Sequence, residues 1–290
     1  MKFILPLVKR HWSVSNQHGK DNFQPNVITA WQNELKSAGY EPPAMSLTLI
    51  LKFIFLSRSW RRILKNTGLK LADMNSVLEF GCGGGAQLVP LFANGLSCVG
   101  IDCSKEVLFR AQQYSDLLIK RRFFRNRKGC IKFICEDFLN YNPNKLFDMT
   151  FQFGVLEHYL DDQERITYLQ KMFNLTKPDG FVVSYVPNGE HPFRSKQKTL
   201  GLGGYKIPEI DYSVELAVEE MLKCGAKSVQ VLTHDLMGYL KVKSGTNIEK
   251  IINWMIYLFW QLPIFQALPL SIRQRHAFWL IVIGKKTGSM

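Results

Sequence analysis

The chain has 290 residues with ordinary hydrophobic content (46%), enough for one large domain with additions, which excludes a disordered or fibrous protein. Thirty-seven Lys and Arg against 24 Asp and Glu give a net charge of +13, which favours anionic partners without choosing among nucleic acid, acidic lipid and phosphorylated molecules. Six cysteines form no CxxC pair and have no His at zinc spacing, which argues against a metal knuckle and a secreted disulfide framework and fits a reducing cytoplasm.

Residues 1–70 read as a helical extension or lid. The opening Met1–Val8 is apolar too briefly for a signal-peptide core. A helix is expected over Val27–Ala38, and the apolar run Leu47–Leu56, followed by Arg58, Arg61, Arg62 and Lys65, is too short to cross a bilayer. It reads as a buried or interfacial helix.

From about Met74 the pattern changes to short apolar runs rich in β-branched and aromatic residues, alternating with helical stretches. Strands are expected at Ser76–Phe80, Ser97–Asp102, Lys132–Cys135, Phe147–Phe153, Phe181–Val186, Ser228–Leu232 and Phe278–Gly284. Helices fit at Ala86–Asn94, Lys105–Lys120, Gln163–Asn174 and Val214–Cys224. This is an α/β fold: a Rossmann-like, seven-stranded, mostly parallel sheet with helices on both faces, over residues 71–287.

The chemistry concentrates at the carboxyl ends of the early strands, where open α/β sheets bind ligands. The first strand runs into Gly81-Cys82-Gly83-Gly84-Gly85, where glycine permits a tight turn and close approach of a nucleoside. Gly81, Gly83 and Ala86 also satisfy the dinucleotide fingerprint, so a nicotinamide or flavin enzyme stays open at this point. Asp102 ends the second strand next to Cys103, placed to accept hydrogen bonds from ribose hydroxyls. Asp137 and Phe138 follow the third strand, offering a carboxylate and a ring to an adenine. Phe153 ends the fourth strand, and Gly154–Tyr159 follows it. The acid Glu79 lies two residues before the first glycine, where it suits an ammonium better than a pyrophosphate.

In this combination the sequence resembles the class I methyltransferases over roughly residues 70–235 and 277–287. The resemblance extends to Lys177-Pro178-Asp179-Gly180 before the fifth strand. It implies S-adenosylmethionine as cofactor, held by Glu79, Gly81, Gly83, Gly85, Asp102, Cys103, Asp137, Phe138 and Phe153, and a reversed seventh strand beside the fifth. In some members of the family the segment after the fourth strand is Glu-x-x-Glu-His and holds a divalent metal. Here Gly154 stands at the first acid, leaving Glu157 and His158, and no metal is expected.

His158 borders the methyl-transfer position and titrates near neutrality, which makes it the candidate base; a packing role in the pocket wall is the alternative. His191, Arg194 and Tyr205, after the fifth strand, are candidates for orienting an anionic or hydroxylated acceptor. Cys82 lacks a neighbouring cation and is not read as a nucleophile.

Residues 236–273 form a hydrophobic helical insertion between the last two strands, uncharged from Ile251 through Ile272. Pro263 and Pro269 interrupt it, and neighbouring strands cannot lie on opposite sides of a bilayer. The insertion therefore completes an apolar pocket, lies in an anionic membrane interface or makes a dimer contact, and the sequence leaves these open. The function expected is methylation, at oxygen, of a small-molecule or lipid-linked acceptor by a cytoplasmic protein with a peripheral place at a membrane. RNA or DNA methylation and a non-catalytic nucleotide-binding protein are the alternatives; no RNA-binding module supports the former.

Overall fold

The computed structural model describes residues 59–65, 68, 74–120, 129–194, 207–236, 247–260 and 263–288. The helix expected at Val27–Ala38, the run Leu47–Leu56 and Tyr205 lie outside them.

A short helix α1 (59–65) precedes β1 (Ser76–Phe80), α2 (Leu88–Ala93), β2 (Ser97–Asp102) and α3 (Lys105–Lys120). Then come β3 (Ile131–Cys135), β4 (Phe147–Phe153), a 3-10 turn (Leu156–His158) and α4 (Asp162–Leu175). The chain continues through β5 (Thr176–Pro187), α5 (Val214–Lys223) and β6 (Ala226–Leu236), then α6 (Asn247–Trp260), α7 (Pro263–Gln266), α8 (Leu270–His276) and β7 (Ala277–Lys286).

The seven strands form one sheet in the order β3-β2-β1-β4-β5-β7-β6. Pairing is parallel from β3 to β5, and β7 is antiparallel to both β5 and β6. Because successive strand residues face opposite sides, β1 sends Val77 into one apolar layer and Leu78 and Phe80 into the other. The first layer is closed by Trp60, Ile63 and Leu64 of α1 with Leu88 and Leu91 of α2 and Leu118 of α3. The second is closed by Leu169 and Phe173 of α4 and Met221 of α5.

Local signals set several boundaries. Asp161 caps α4 by accepting from the Glu164 amide at 3.0 Å, and Ser213 caps α5 by accepting from Leu216 at 3.1 Å. At the opposite edge of the sheet from the glycine turn, Asp148 accepts from the amides of Asn75 and Ser76 and from Lys177 Nζ at 2.8–3.0 Å. This joins the starts of β1, β4 and β5. The turn expected at Lys177–Gly180 appears inside β5 as an irregularity: Thr176 already pairs with Phe147, the register shifts before Met149 pairs with Phe181, and Asp179 takes φ 60°.

Candidate active site

The loop after β1 is shaped by left-handed glycines, with Gly81, Gly83 and Gly85 at φ 63°, 49° and 74°. At Gly81 a Cβ would also lie 2.6 Å from Val155 Cγ2, so this turn packs directly on the segment after β4. The Gly83 amide donates to Asp102 Oδ2 at 2.9 Å and the Ser104 amide to Oδ1 at 3.0 Å. Each carboxylate oxygen thus keeps accepting capacity while the side chain is fixed at the end of β2.

Burial raises the Asp102 carboxyl, against the pull of these amides. Glu79 is pushed well above the usual carboxylate range, first by burial and then by Asp102, and its Oε2 is buried without a hydrogen-bond partner. Burial and nearby carboxylates also push up the thiols of Cys82 and Cys103, the latter to about 11, so both stay protonated at neutral pH. Cys103 Sγ donates to the Glu136 carbonyl at 3.7 Å. Asp137 accepts from the Leu139 amide at 2.9 Å, shaping the turn after β3.

The segment after β4 hangs on Gln152, which is buried between strands. Its Nε2 donates to Ser184 Oγ and the Tyr185 carbonyl, and its Oε1 accepts from the Val155 amide at 2.9 Å. The Gly154 amide donates to the Tyr185 carbonyl at 3.1 Å. Half-buried Phe153 packs its ring against Tyr185 and Trp279, with centroids 4.6 and 5.0 Å away.

A loop over residues 207–212 closes over the 3-10 turn. The Ile210 amide donates to the Glu157 carbonyl at 2.8 Å, and His158 Nδ1 lies 3.1 Å from the Pro208 carbonyl. A carbonyl only accepts, so Nδ1 carries the proton and Nε2 is the basic atom of the neutral ring. Burial lowers the His158 pKa; the Pro208 carbonyl opposes the shift and Arg194 adds to it. The ring is therefore neutral at physiological pH. Glu157 is buried with its Oε2 unpartnered, and its carboxyl is pushed up to about 8, chiefly by burial.

Three of the residues expected at the site take other positions. Phe138 is 1% exposed and stacks on Phe80 at 4.2 Å, so its ring belongs to the core and does not offer a face to an adenine. Arg194 is 2% exposed and bound to Glu209 at 2.9 Å, to Asp211 at 2.5 Å and to the Ile210 carbonyl. Two carboxylates satisfy its charge, which removes the expected role as a receptor for an anionic acceptor and makes it the clamp of the 207–212 loop. His191 is buried beside His276, its Nδ1 accepting from the Phe193 amide, and burial and His276 lower its pKa to about 4. It fastens the segment after β5.

Glu209 is the residue that sequence reasoning missed. It lies near Glu157 and His158, with one ligand-type atom from each of the three within 4.8 Å of the others. The expectation of no metal rested on two ligands, and Glu209 supplies a third. Its Oε1 is nonetheless engaged by Arg194 Nη2.

Comparison with known proteins shows what this geometry resembles. Residues 77–180 match the family described as methyltransferase domain. A thiocyanate methyltransferase from Brassica oleracea is 28% identical over 146 residues, 46% of this chain and 61% of that protein. The chain thus spans about three fifths of the length of this curated relative. Magnesium protoporphyrin IX methyltransferase from Synechocystis PCC 6803, solved with bound S-adenosylhomocysteine, superposes with a TM-score of 0.56 at 15% identity, covering 90% of this chain and 100% of that one. An N-methyltransferase from Bradyrhizobium japonicum WM9 gives 0.51 at 14% identity over 89% and 98%. The fold is shared with both.

Proposed function

We propose that the chain, whose residues 77–180 match a methyltransferase domain, is a class I, S-adenosylmethionine-dependent methyltransferase that methylates an oxygen of a small-molecule or lipid-linked acceptor, with His158 as the base. The observation that carries this reading is the contact of His158 Nδ1 with the Pro208 carbonyl at 3.1 Å, which leaves Nε2 as the basic atom beside the turn after β4.

The residues at the glycine turn suit the cofactor. Glu79 has a buried carboxylate oxygen without a partner, matched to an ammonium group, and Asp102 is held with accepting capacity to spare for ribose hydroxyls. S-adenosylmethionine supplies a methyl group activated by its positive sulfonium. The chain's own residues orient the acceptor against it and exclude water. Alignment is the main requirement for an in-line displacement, and Gln152, through the Val155 amide, fixes the segment that does it. A hydroxyl must also lose a proton, and a neutral His158 takes it at Nε2.

The test is to incubate the protein and methyl-labelled S-adenosylmethionine with a lysate of its source, then separate lipid, small polar, nucleic-acid and protein fractions. Label on a hydroxyl of a lipid or small molecule, lost in His158→Ala, supports the proposal; label in RNA, DNA or protein overturns it. The likeness to a thiocyanate methyltransferase favours a second reading, a sulfur acceptor. A thiolate needs no base, so labelling of a sulfur nucleophile that survives His158→Ala would favour it.

A further inference from the structure

Among the described residues between β6 and β7, several large apolar side chains face outward. Along α6, Ile248, Ile251, Ile252, Met255 and Phe259 follow the spacing of one helical stripe, and they are 41–70% exposed. The half-buried residues Glu249, Asn253 and Ile256 follow one flank of this stripe. Ile264, Leu270 and Ile272, in α7 and α8, are also exposed. A surface helix of a globular protein normally faces its apolar stripe inward, and exposed apolar patches of this kind mark contact surfaces.

The position of the segment is defined by the sheet. Leu236 at the end of β6 pairs with Ala277 at the start of β7, and Trp279 pairs with Pro187 at the end of β5. The insertion therefore leaves and re-enters at the carboxyl edge of β5, the edge that also carries the glycine turn, Asp102 and His158. Asn188 Nδ2 donates to the carbonyls of Gln274 and Ala277 at 2.6 and 2.9 Å, tying the end of α8 to the segment after β5.

Charge identifies the occupant. The sequence from Asn247 to His276 holds one acid, Glu249, against Lys250, Arg273 and Arg275, within a chain of net charge +13. Exposed Arg61 and Lys65 lie on α1, which is bonded to β6 through Arg62 Nη2 and the Thr233 carbonyl at 3.0 Å. Among the described residues no helix is long and apolar enough to cross a membrane, so an apolar stripe with a cationic flank fits a bilayer surface.

We propose that the helices between β6 and β7 dock the protein on an anionic lipid surface, with the α6 stripe at the boundary of headgroups and acyl chains and the cations of α8 and α1 against the headgroups. The active-site edge of the sheet then faces the membrane, where an acceptor carrying a lipid tail would be presented.

The experiment is co-flotation of the full chain with phosphatidylcholine vesicles, with and without phosphatidylserine. Flotation is expected with the anionic vesicles at low salt. It should fall at least about tenfold on raising salt past the screening range, with Arg275→Glu, and with the pair Ile251→Glu and Met255→Glu. S-adenosylhomocysteine binding and sedimentation of each variant report folding and assembly. Should the paired variant fail to fold, Arg275→Glu and the salt series decide. Absence of flotation, equal flotation of the variants, or a wild-type dimer that the paired variant splits into monomers would overturn the proposal; the last would assign the stripe to a second copy. Flotation requires no turnover, so a failed methyl-transfer assay leaves this result standing, and the reverse holds as well.

Discussion

Arg165 and Glu220 form a buried ion pair, Nε to Oε1 at 2.8 Å, that locks the segment after β4 to helix α5. The same guanidinium donates through Nη1 to the carbonyls of Tyr159 at 2.8 Å and Leu160 at 3.1 Å, and Tyr212 donates to the second oxygen of Glu220 at 2.9 Å. Removing Arg165 leaves the Glu220 carboxylate buried without this counter-charge, with the Tyr212 hydroxyl still donating to it. Arg165→Met is therefore expected to destabilise the fold by about 3–5 kcal/mol, read as a lowered denaturant midpoint at unchanged slope. A variant within about 0.5 kcal/mol of wild type would show that the pair does not hold the segment.

Asp102→Ala removes the acceptor of two backbone amides together with the candidate ribose acceptor. S-adenosylhomocysteine affinity is expected to drop at least about tenfold, in line with a hydrogen bond to a charged group. Unchanged affinity in calorimetry would remove Asp102 from the cofactor site.

For a hydroxyl acceptor, His158→Ala is expected to lower kcat about 10²-fold or more while leaving S-adenosylhomocysteine affinity intact. Because burial lowers the pKa of His158, the wild-type rate should fall only on the acid side, with its inflection below about 6.5. An inflection above that value would assign the titrating group elsewhere.

Glu157 gives stability a defined pH dependence. Its carboxyl lies at about 8 in the fold against an ordinary value of 4.5, so the folded state holds the proton more tightly than the unfolded chain. That contribution is complete below about pH 4.5 and is lost as pH rises toward about 8. In the cofactor-free protein, Tm should therefore fall over this window relative to Glu157→Gln. Parallel curves would mean that Glu157 is ionised throughout.

Arg194 engages Glu209, and the Pro208 carbonyl fixes His158, so two members of the cluster with Glu157 are already partnered. Chelation with excess EDTA is expected to leave methyl transfer unchanged. A loss restored by one divalent ion would make the three residues a metal site.

The parts of the fold readable from sequence were those where local pattern and tertiary environment agree. β1, β2 and β4 begin and end where their apolar runs do, because both faces of these central strands are buried. β6 is longer than its apolar run because β7 pairs with it from Ala226 to Leu236, including the buried polar residues Thr233 and Asp235. The tight turn at Gly81, Gly83 and Gly85 was legible because left-handed backbone favours glycine there. Phe138 and Arg194 were misplaced because composition cannot say whether a ring is already stacked, as on Phe80, or a charge already paired, as with Glu209 and Asp211. Glu209 gave no signal, since a loop brings it to His158 from some fifty residues away.

The strand order has a consequence for biosynthesis. β7 is made after β6 yet lies between it and β5, so a nascent chain that has not reached Ala277 has β5 as a bare edge and β6 with no strand to join. Through that interval the emerging polypeptide carries two unpaired β edges, with the apolar helices of the insertion between β6 and the strand still to come. Chaperone demand should therefore peak just before β7 leaves the ribosome, and a stalled or truncated product should aggregate where the complete one folds.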